Sequence, residues 1–566
     1  MSKYLLLFLI CTVSLAQLTR ETRAVWIATN YRLDWPSIAL DPEAQKKDLE
    51  TIFDNLKRKK FNTVYFQVRH NGSVLFKSSY EPFAQFIVRP VDSVALYDPL
   101  DYTIELARKK GIEIHAWLNV YNCMASGNED LLQSPKHVMN RHPEWVIKNF
   151  RDNATTYWTD PGLPEVKNYL ISLITELVQN YEIDGIHLDY LRYPGMDFDD
   201  DYSYSVYGSG MNKSDWRRQN INKFIEELYT QIREINPTVK IGVAPIGIYK
   251  NIEGARGMES YYEVYQDTRK WLQNGWVDYA VPQLYWDFEN NPKFDIIAKD
   301  WINNSFGKSM VFGLGAFRKE IQPLLEDMIK FARINNADGV AFYRYSDIKN
   351  FNIDLYKYIS LPAPMEWINN YNPSPPENLN CSIIDDKINR IKLNWNKPGI
   401  NDLESEIRYY SLYRLNKPEE QHDEKNFVDF IQGKNSSVTF SIPQPPKVAL
   451  YFTMKSIDKL WNESEFSSSV FKFTIPNLEK ISSKLFLSDK PLLIDRGYGE
   501  YLLIVTSTGS DFVSVNVDEN GLQRKIAQSE IRKGYNFIRI SEDLKKYKKI
   551  MLYSGNTKNT FTLEVK

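Results

Sequence analysis

The stretch Asp184-Gly185-Ile186-His187-Leu188-Asp189-Tyr190-Leu191-Arg192-Tyr193-Pro194 decides how the chain is read. Ile186 and Leu188 alternate with His187 and Asp189, which is the two-residue period of a strand. Gly185 stands at the entry, and a proline closes a polar, aromatic end. A carboxylate, an imidazole, a guanidinium and two phenols within seven residues exceed what a core strand needs. In parallel α/β proteins the ligand sits at the carboxyl ends of the strands. Asp189 and Arg192 are therefore expected at the mouth of a site, and Asp184 at the opposite, structural face.

Working outward, apolar strand-like runs alternate with helix-like segments from Thr22 to about Ser360. Strands are expected at Arg23–Thr29, Thr63–Arg69, Glu113–Val120, Lys240–Pro245, Tyr279–Trp286, Met310–Gly315 and Gly339–Tyr345, besides the opening stretch. Helices are expected at Pro42–Lys60, Tyr102–Lys110, Glu165–Tyr181, Ser214–Ile235, Tyr261–Gln273, Lys293–Asn304 and Ile321–Ile334, with Asp41 and Asp98 as caps. The segment carrying His137 and Arg141–Trp145 reads as a long loop. Eight strands, each followed by a helix, predict an α/β fold of the (β/α)8 TIM barrel type. An open doubly wound sheet ordinarily shows a Gly-rich phosphate turn after its first strand, and none follows Thr29.

Residues 1–16 read as a signal peptide, with Lys3, the apolar run Tyr4–Ile10 and a small-x-small end at Ser14-Leu15-Ala16. The run is short of the roughly 20 residues that span a bilayer. Bulky Ile10 argues against a lipid anchor at Cys11. The mature chain is expected to be exported, periplasmic or at the cell surface, with no integral membrane segment. The barrel is expected over 17–362 and a Pro-rich linker over 363–375. A β-sandwich is expected over 376–476 and a second small all-β domain over 477–566. The formal charge of -2 removes the main electrostatic argument for nucleic acid as partner. Cys123 and Cys381 fall in different domains, so no disulfide is expected. No Cys/His cluster has zinc spacing, and neither metal nor cofactor is expected.

The strand ends supply the candidate site: Gln67 and Arg69; His115, Trp117 and Asn119; Asp189, Tyr190 and Arg192; Gln283, Tyr285 and Trp286; Tyr343. Amides, cations, an imidazole and aromatic rings suit a polyhydroxylated ligand held by hydrogen bonds and stacking. Glycoside hydrolysis needs two carboxyl groups. Asp189 is the candidate nucleophile or base, with Arg192 and Arg69 expected to hold its pKa down. Asp287, after Tyr285-Trp286, is the candidate acid, with Glu289 and Glu144 behind it. Either Asp also has a plain reading as a cap of its own turn. The run Asp197-Phe198-Asp199-Asp200-Asp201 lacks the spacing of a calcium loop and reads as a solvated acidic loop.

Glu21–Thr29 with Asp34-Trp35-Pro36, Phe66–Arg69, His115–Asn119, Asp184–Pro194 and Pro282–Trp286 together resemble the glycosyl-hydrolase-like family 10 group. The resemblance spans roughly residues 20–360. It implies an exported TIM-barrel glycoside hydrolase acting on a carbohydrate, with Asp189 at the family's fourth-strand acid. Asp287 stands where many members have Glu. The stretch after Pro375 resembles a fibronectin type III module, through Trp395, Tyr410–Arg414 and Ser456–Asp458. Chitinase-type barrels carry a Glu where this chain has Leu191, so that mechanism does not transfer. The alternatives to a hydrolase are a glycan-binding barrel without turnover and a cell-surface scaffold whose β modules do the work.

Overall fold

A computed structural model describes residues 20–564 apart from 90–92, 126–132, 152, 386–389, 399–405, 416–423, 442–449, 465–470 and 474–491, and short stretches at 498–499, 508–510, 520–521, 532–533, 548 and 555–559. The leader, Cys11 and the expected boundary at 476–477 lie outside the described residues. One unit comprises Arg20–Tyr371 with Lys459–Asn462, and the other Asn372–Asp458 with Glu463–Lys566.

The first unit is a closed parallel barrel of eight strands. They are β1 (Thr22–Ile27), β2 (Thr63–His70), β3 (Glu113–Asn119), β4 (Gly185–Asp189), β5 (Lys240–Val243), β6 (Tyr279–Ala280, resumed at Gln283–Leu284), β7 (Ser309–Leu314) and β8 (Gly339–Phe342). Each pairs with its neighbours in sequence, and β1 pairs with both β2 and β8, which closes the sheet. Helices α1 (Pro42–Arg58), α2 (Pro99–Lys110), α3 (Pro164–Asn180), α4 (Lys213–Ile235), α5 (Thr268–Gln273), α6 (Phe294–Asn303) and α7 (Leu325–Ile334) connect them. The Asp41 side chain accepts the Ala44 N–H and that of Asp98 the N–H groups of Leu100 and Asp101, so each starts its helix as a cap. Leu49, Ile52, Phe53 and Leu56 of α1 are buried, as their spacing predicts.

Three expectations change. The helix expected from Tyr261 begins only at Thr268. Tyr265 takes a left-handed φ of 58°, and Gln266 ties its segment to Ile246 N and Leu191 O along the barrel rim. The loop after β3 carries a three-stranded antiparallel sheet, Asn122–Ala125, Val146–Arg151 and Ala154–Thr159. Asp200 in the acidic run is buried rather than solvated, held by the Arg217 guanidinium at 2.5 Å and by Lys213 at 2.8 Å.

The barrel interior is filled, not hollow. Tyr65 stacks on His187 at 4.0 Å, and Tyr279 reaches His115 and His187 through its hydroxyl at 2.6 and 3.2 Å. Trp26 donates its indole N–H to His187 Nε2, which leaves the proton of the neutral ring on Nδ1, towards Tyr279. Burial holds His187 well below its ordinary pKa. Gly242 makes room for this layer, since a Cβ there would stand 1.8 Å from the Tyr279 ring. Below it, Glu113 forms a buried ion pair with Lys240 and accepts hydrogen bonds from Trp461 Nε1 (2.8 Å) and His115 Nε2 (3.3 Å).

The second unit is all β. Glu377–Asp385, Arg390–Asn396 and Ser437–Ser441 form one antiparallel sheet, and Phe427–Gln432, Ile407–Leu415, Leu450–Asp458 and Phe471–Phe473 another. Trp395, Tyr410, Leu412 and Met454 lie in their core. A three-stranded and a four-stranded sheet follow, around Leu503, Val515, Ile538 and Leu552.

Candidate active site

Asp189 is the last residue of β4, directly beside Asn119 of β3 in the strand register. Its side chain is almost wholly buried, at 9% exposure for the residue, and accepts the Tyr190 N–H at 2.8 Å. Burial pushes its pKa up to about 6, against the smaller pull of the Tyr190 N–H, Arg192 and the Trp117 indole. Trp117 Nε1 is buried without a hydrogen bond of good geometry to any protein group, yet it lies close enough to favour the ionised carboxyl. Tyr190 follows at a left-handed φ of 52°, a costly backbone for a bulky residue, and its ring packs on Trp158 of the inserted sheet at 5.6 Å.

Across the mouth, Tyr285 and Tyr343 face each other at 5.9 Å and both meet Phe317, at 5.6 and 5.8 Å. The charge of Asp189 acts on both phenols. Tyr343 also touches Trp26 and Trp117. The carboxyl thus lies between two aromatic walls, one from the β3–β4 side and one from the β6–β8 side. Gln67 holds the loop after β1 by accepting the Thr29 and Asn30 N–H groups, and donates to Asn119 Oδ1 at 3.3 Å. The Asn119 amide N–H groups have no protein acceptor among the described residues. Gln283 is half-buried, its amide 3.4 Å from Ala244 O.

Four candidates are placed elsewhere. Arg69 is bound side-on by Glu81, at 2.8 and 2.6 Å, and to the carbonyls of Asn119 and Val120. The pairing of β2 with β3 shifts between Gln67 and Arg69, and such a bulge re-aims the side chain. Arg69 therefore does not hold down the Asp189 pKa. His115 lies in the barrel interior, bonded to Tyr279 and Glu113, away from the mouth. Trp286 packs beside Gly247. Asp287 caps its own turn: it accepts the N–H groups of Glu289 and Asn290 and the Asn290 side-chain amide, at 2.7–2.9 Å. These bonds hold its pKa below the usual carboxylate value, the reverse of what a general acid needs. Asp287→Asn is expected to keep kcat/KM within about threefold of wild type, as a partly exposed turn residue should; steady-state kinetics check this.

Sequence reasoning missed Trp158, Phe317 and Trp26. Trp158 sits on a strand of the inserted sheet, within a stretch that reads as a loop, and Phe317 on the turn after β7, where strand alternation says nothing of direction. Trp26 sits mid-strand, and its inward face was legible from the period of β1. Asp34 also acts on Tyr343, but its carboxyl is fully enclosed and bonded to the N–H groups of Ala28 and Ser346 and to Arg344.

The model of the glycosyl hydrolase-like 10 family matches residues 21–327, the whole of β1–β7 and the strand that carries Asp189. The chain belongs to that family. It is 28% identical over 500 residues to glycosyl hydrolase YngK of Bacillus subtilis (strain 168), covering 81% of this chain and 94% of that one. It is 33% identical over 358 residues to glycosyl hydrolase DigH of Escherichia coli (strain K12), covering 58% of this chain and 75% of that one. Among solved structures, the glycoside hydrolase domain of PgaB (BpsB) from Bordetella bronchiseptica aligns over 58% of this chain and 96% of its own, at 14% identity and a TM-score of 0.41. In this glycosyl hydrolase-like 10 protein, no cluster of His, Cys, Asp or Glu among the described residues gathers to hold a metal ion, and no helix among them is long and apolar enough to cross a membrane.

Proposed function

We propose that the chain hydrolyses O-glycosidic bonds of a poly- or oligosaccharide, with Asp189 as the proton donor. The observation that carries this is a carboxyl buried at the barrel mouth between aromatic walls, its pKa raised to about 6. A carboxyl lifted in this way keeps its proton up to about pH 6, well above an ordinary Asp, and serves as an acid there. Asp189 gives its proton to the glycosidic oxygen, the bond from that oxygen to the anomeric carbon breaks, and water adds to the carbon, its released proton restoring the Asp189 carboxyl. Asn119 holds an unspent N–H donor beside the carboxyl, suited to a sugar hydroxyl, while the buried Trp117 indole faces the carboxyl itself. Tyr285, Tyr343 and Tyr190 offer ring faces.

This reading replaces the expected nucleophile role of Asp189 with that of the acid. It is preferred to a glycan-binding barrel without turnover, because simple binding gains nothing from a buried carboxyl whose ionisation is costly. Reducing-end release from a panel of plant, host and bacterial-wall polysaccharides tests it. Glycans that are bound but left intact would make the barrel a binding module. On a cleaved glycan, kcat/KM is expected to fall as pH rises through about 6, because the donor loses its proton there. A rate that rises through that pH would reassign Asp189 as a base. The order of strands in the first sandwich, three against four with Trp395 in the core, supports a fibronectin type III-like module there.

A further inference from the structure

Arg192 differs from the other arginines packed into the barrel unit. Arg69 is paired with Glu81, Arg217 with Asp200, Arg233 with Asp278, Arg269 with Asp300 and Arg344 with Asp34. Arg192 forms no ion pair among the described residues. Its one hydrogen bond runs from Nη1 to Tyr193 O at 3.3 Å, so the Nε–Nη2 edge of the guanidinium is unspent. The group is nevertheless fixed, with its carbon 5.0 Å from the Tyr190 ring centre and 5.5 Å from that of Trp158. Burial works against its charge, and a half-buried cation without a hydrogen-bonded anion is costly. It stands within electrostatic reach of Asp189, whose proton-donor form is uncharged and offers no compensation.

We infer that Arg192, held against Tyr190 and Trp158, is an anion subsite that takes the carboxylate of an acidic sugar adjoining the scissile bond. A planar carboxylate matches the free two-nitrogen edge in a bidentate pair, while the partly exposed Tyr190 ring, backed by Trp158, covers the sugar's apolar face. At the opposite wall of Tyr285, Tyr343 and Phe317 the neighbouring cations Arg318 and Arg344 are paired with Glu320 and Asp34, so among the described residues that wall suits an uncharged sugar. The specificity is thus lopsided: an acidic sugar on the β4 side and a neutral one on the β8 side. This rests on the hydrolase reading.

The test uses the full chain on a panel of carboxylated polysaccharides and the same polymers with their carboxyl groups reduced to alcohols. Binding is measured beside reducing-end release. The wild type is expected to favour the carboxylated form of its glycan by at least about tenfold in kcat/KM, as a charge-assisted bidentate pair supplies. Arg192→Gln is expected to bring that ratio near one, and Arg192→Lys, which keeps charge without the fork, to an intermediate value. A wild type indifferent to carboxyl reduction, or an Arg192→Gln variant that loses rate on both forms with the ratio unchanged, overturns the anion subsite and leaves the hydrolase standing. A panel on which carboxylated glycans are bound through Arg192 but never cut keeps the subsite and overturns the hydrolase. A panel on which nothing is bound or cut overturns both.

Discussion

Asp189→Asn is expected to lose activity and gain stability. Removing a general acid ordinarily costs about 10²- to 10⁴-fold, and a loss of that size in kcat is expected on any glycan the wild type cleaves. The stability effect follows from the same burial. The folded-state pKa, about 6, lies above the ordinary 3.8, so the folded chain takes up this proton more readily than the unfolded one. Asp189 therefore costs nothing below pH 3.8. Its penalty grows as pH rises towards 6 and persists above it. Asn keeps the shape and still accepts the Tyr190 N–H, but never ionises. At neutral pH the barrel should gain roughly 1–3 kcal/mol, seen as a melting temperature raised by a few degrees at pH 7 and unchanged near pH 4. A variant that loses activity because it unfolds would show the opposite shift.

The second large effect lies at the other end of the barrel. Glu113 is buried, and Lys240, Trp461 and His115 all donate to it. Burial opposes its charge, but Lys240 and His115 hold its pKa well below the ordinary value. Glu113→Ala strands the Lys240 ammonium in the interior, and breaking a buried pair from one side costs about 3–5 kcal/mol. Thermal unfolding should show a loss of that order. Replacing both partners, Glu113→Leu with Lys240→Met, should recover much of it, since two apolar side chains leave no charge unmatched. In the wild type, the part of the stability owed to Glu113 is complete above pH 4.5 and is lost as pH falls below it. If Glu113→Ala unfolds like wild type, water reaches Lys240 and the floor is not closed as described.

The barrel was legible because its strands carry their signal locally. Each has a two-residue period, a helix after it and turn residues between, and β4 announces itself through Ile186, Leu188 and Asp189. Asp189 at the mouth followed from the direction of that strand alone. Its pKa did not, because Trp117, Tyr285 and Tyr343, which enclose it, come from three other strands. Arg69 was misplaced because one bulge in β2 turned it towards Glu81, twelve residues on, a shift that composition does not record. His115 points inward as alternation says, but sits one layer too deep, below Trp117 and Asn119 on the same strand. Trp286 was lost because β6 ends at Leu284, before the expected strand does, and in the segment beyond it Trp286 packs beside Gly247 instead of following the strand. Asp287 looks catalytic in sequence beside Tyr285-Trp286, and only the turn closed by Asn290 shows its carboxyl already engaged.

The most direct test of Asp189 as the acid is to titrate its carboxyl by the carbon-13 resonance that is present in wild type and missing in Asp189→Asn, and to set that curve beside the pH dependence of kcat/KM. The account predicts one carboxyl titrating near pH 6 and a rate that falls through the same pH. A carboxyl that titrates near 4, or a rate that does not follow it, would contradict the account.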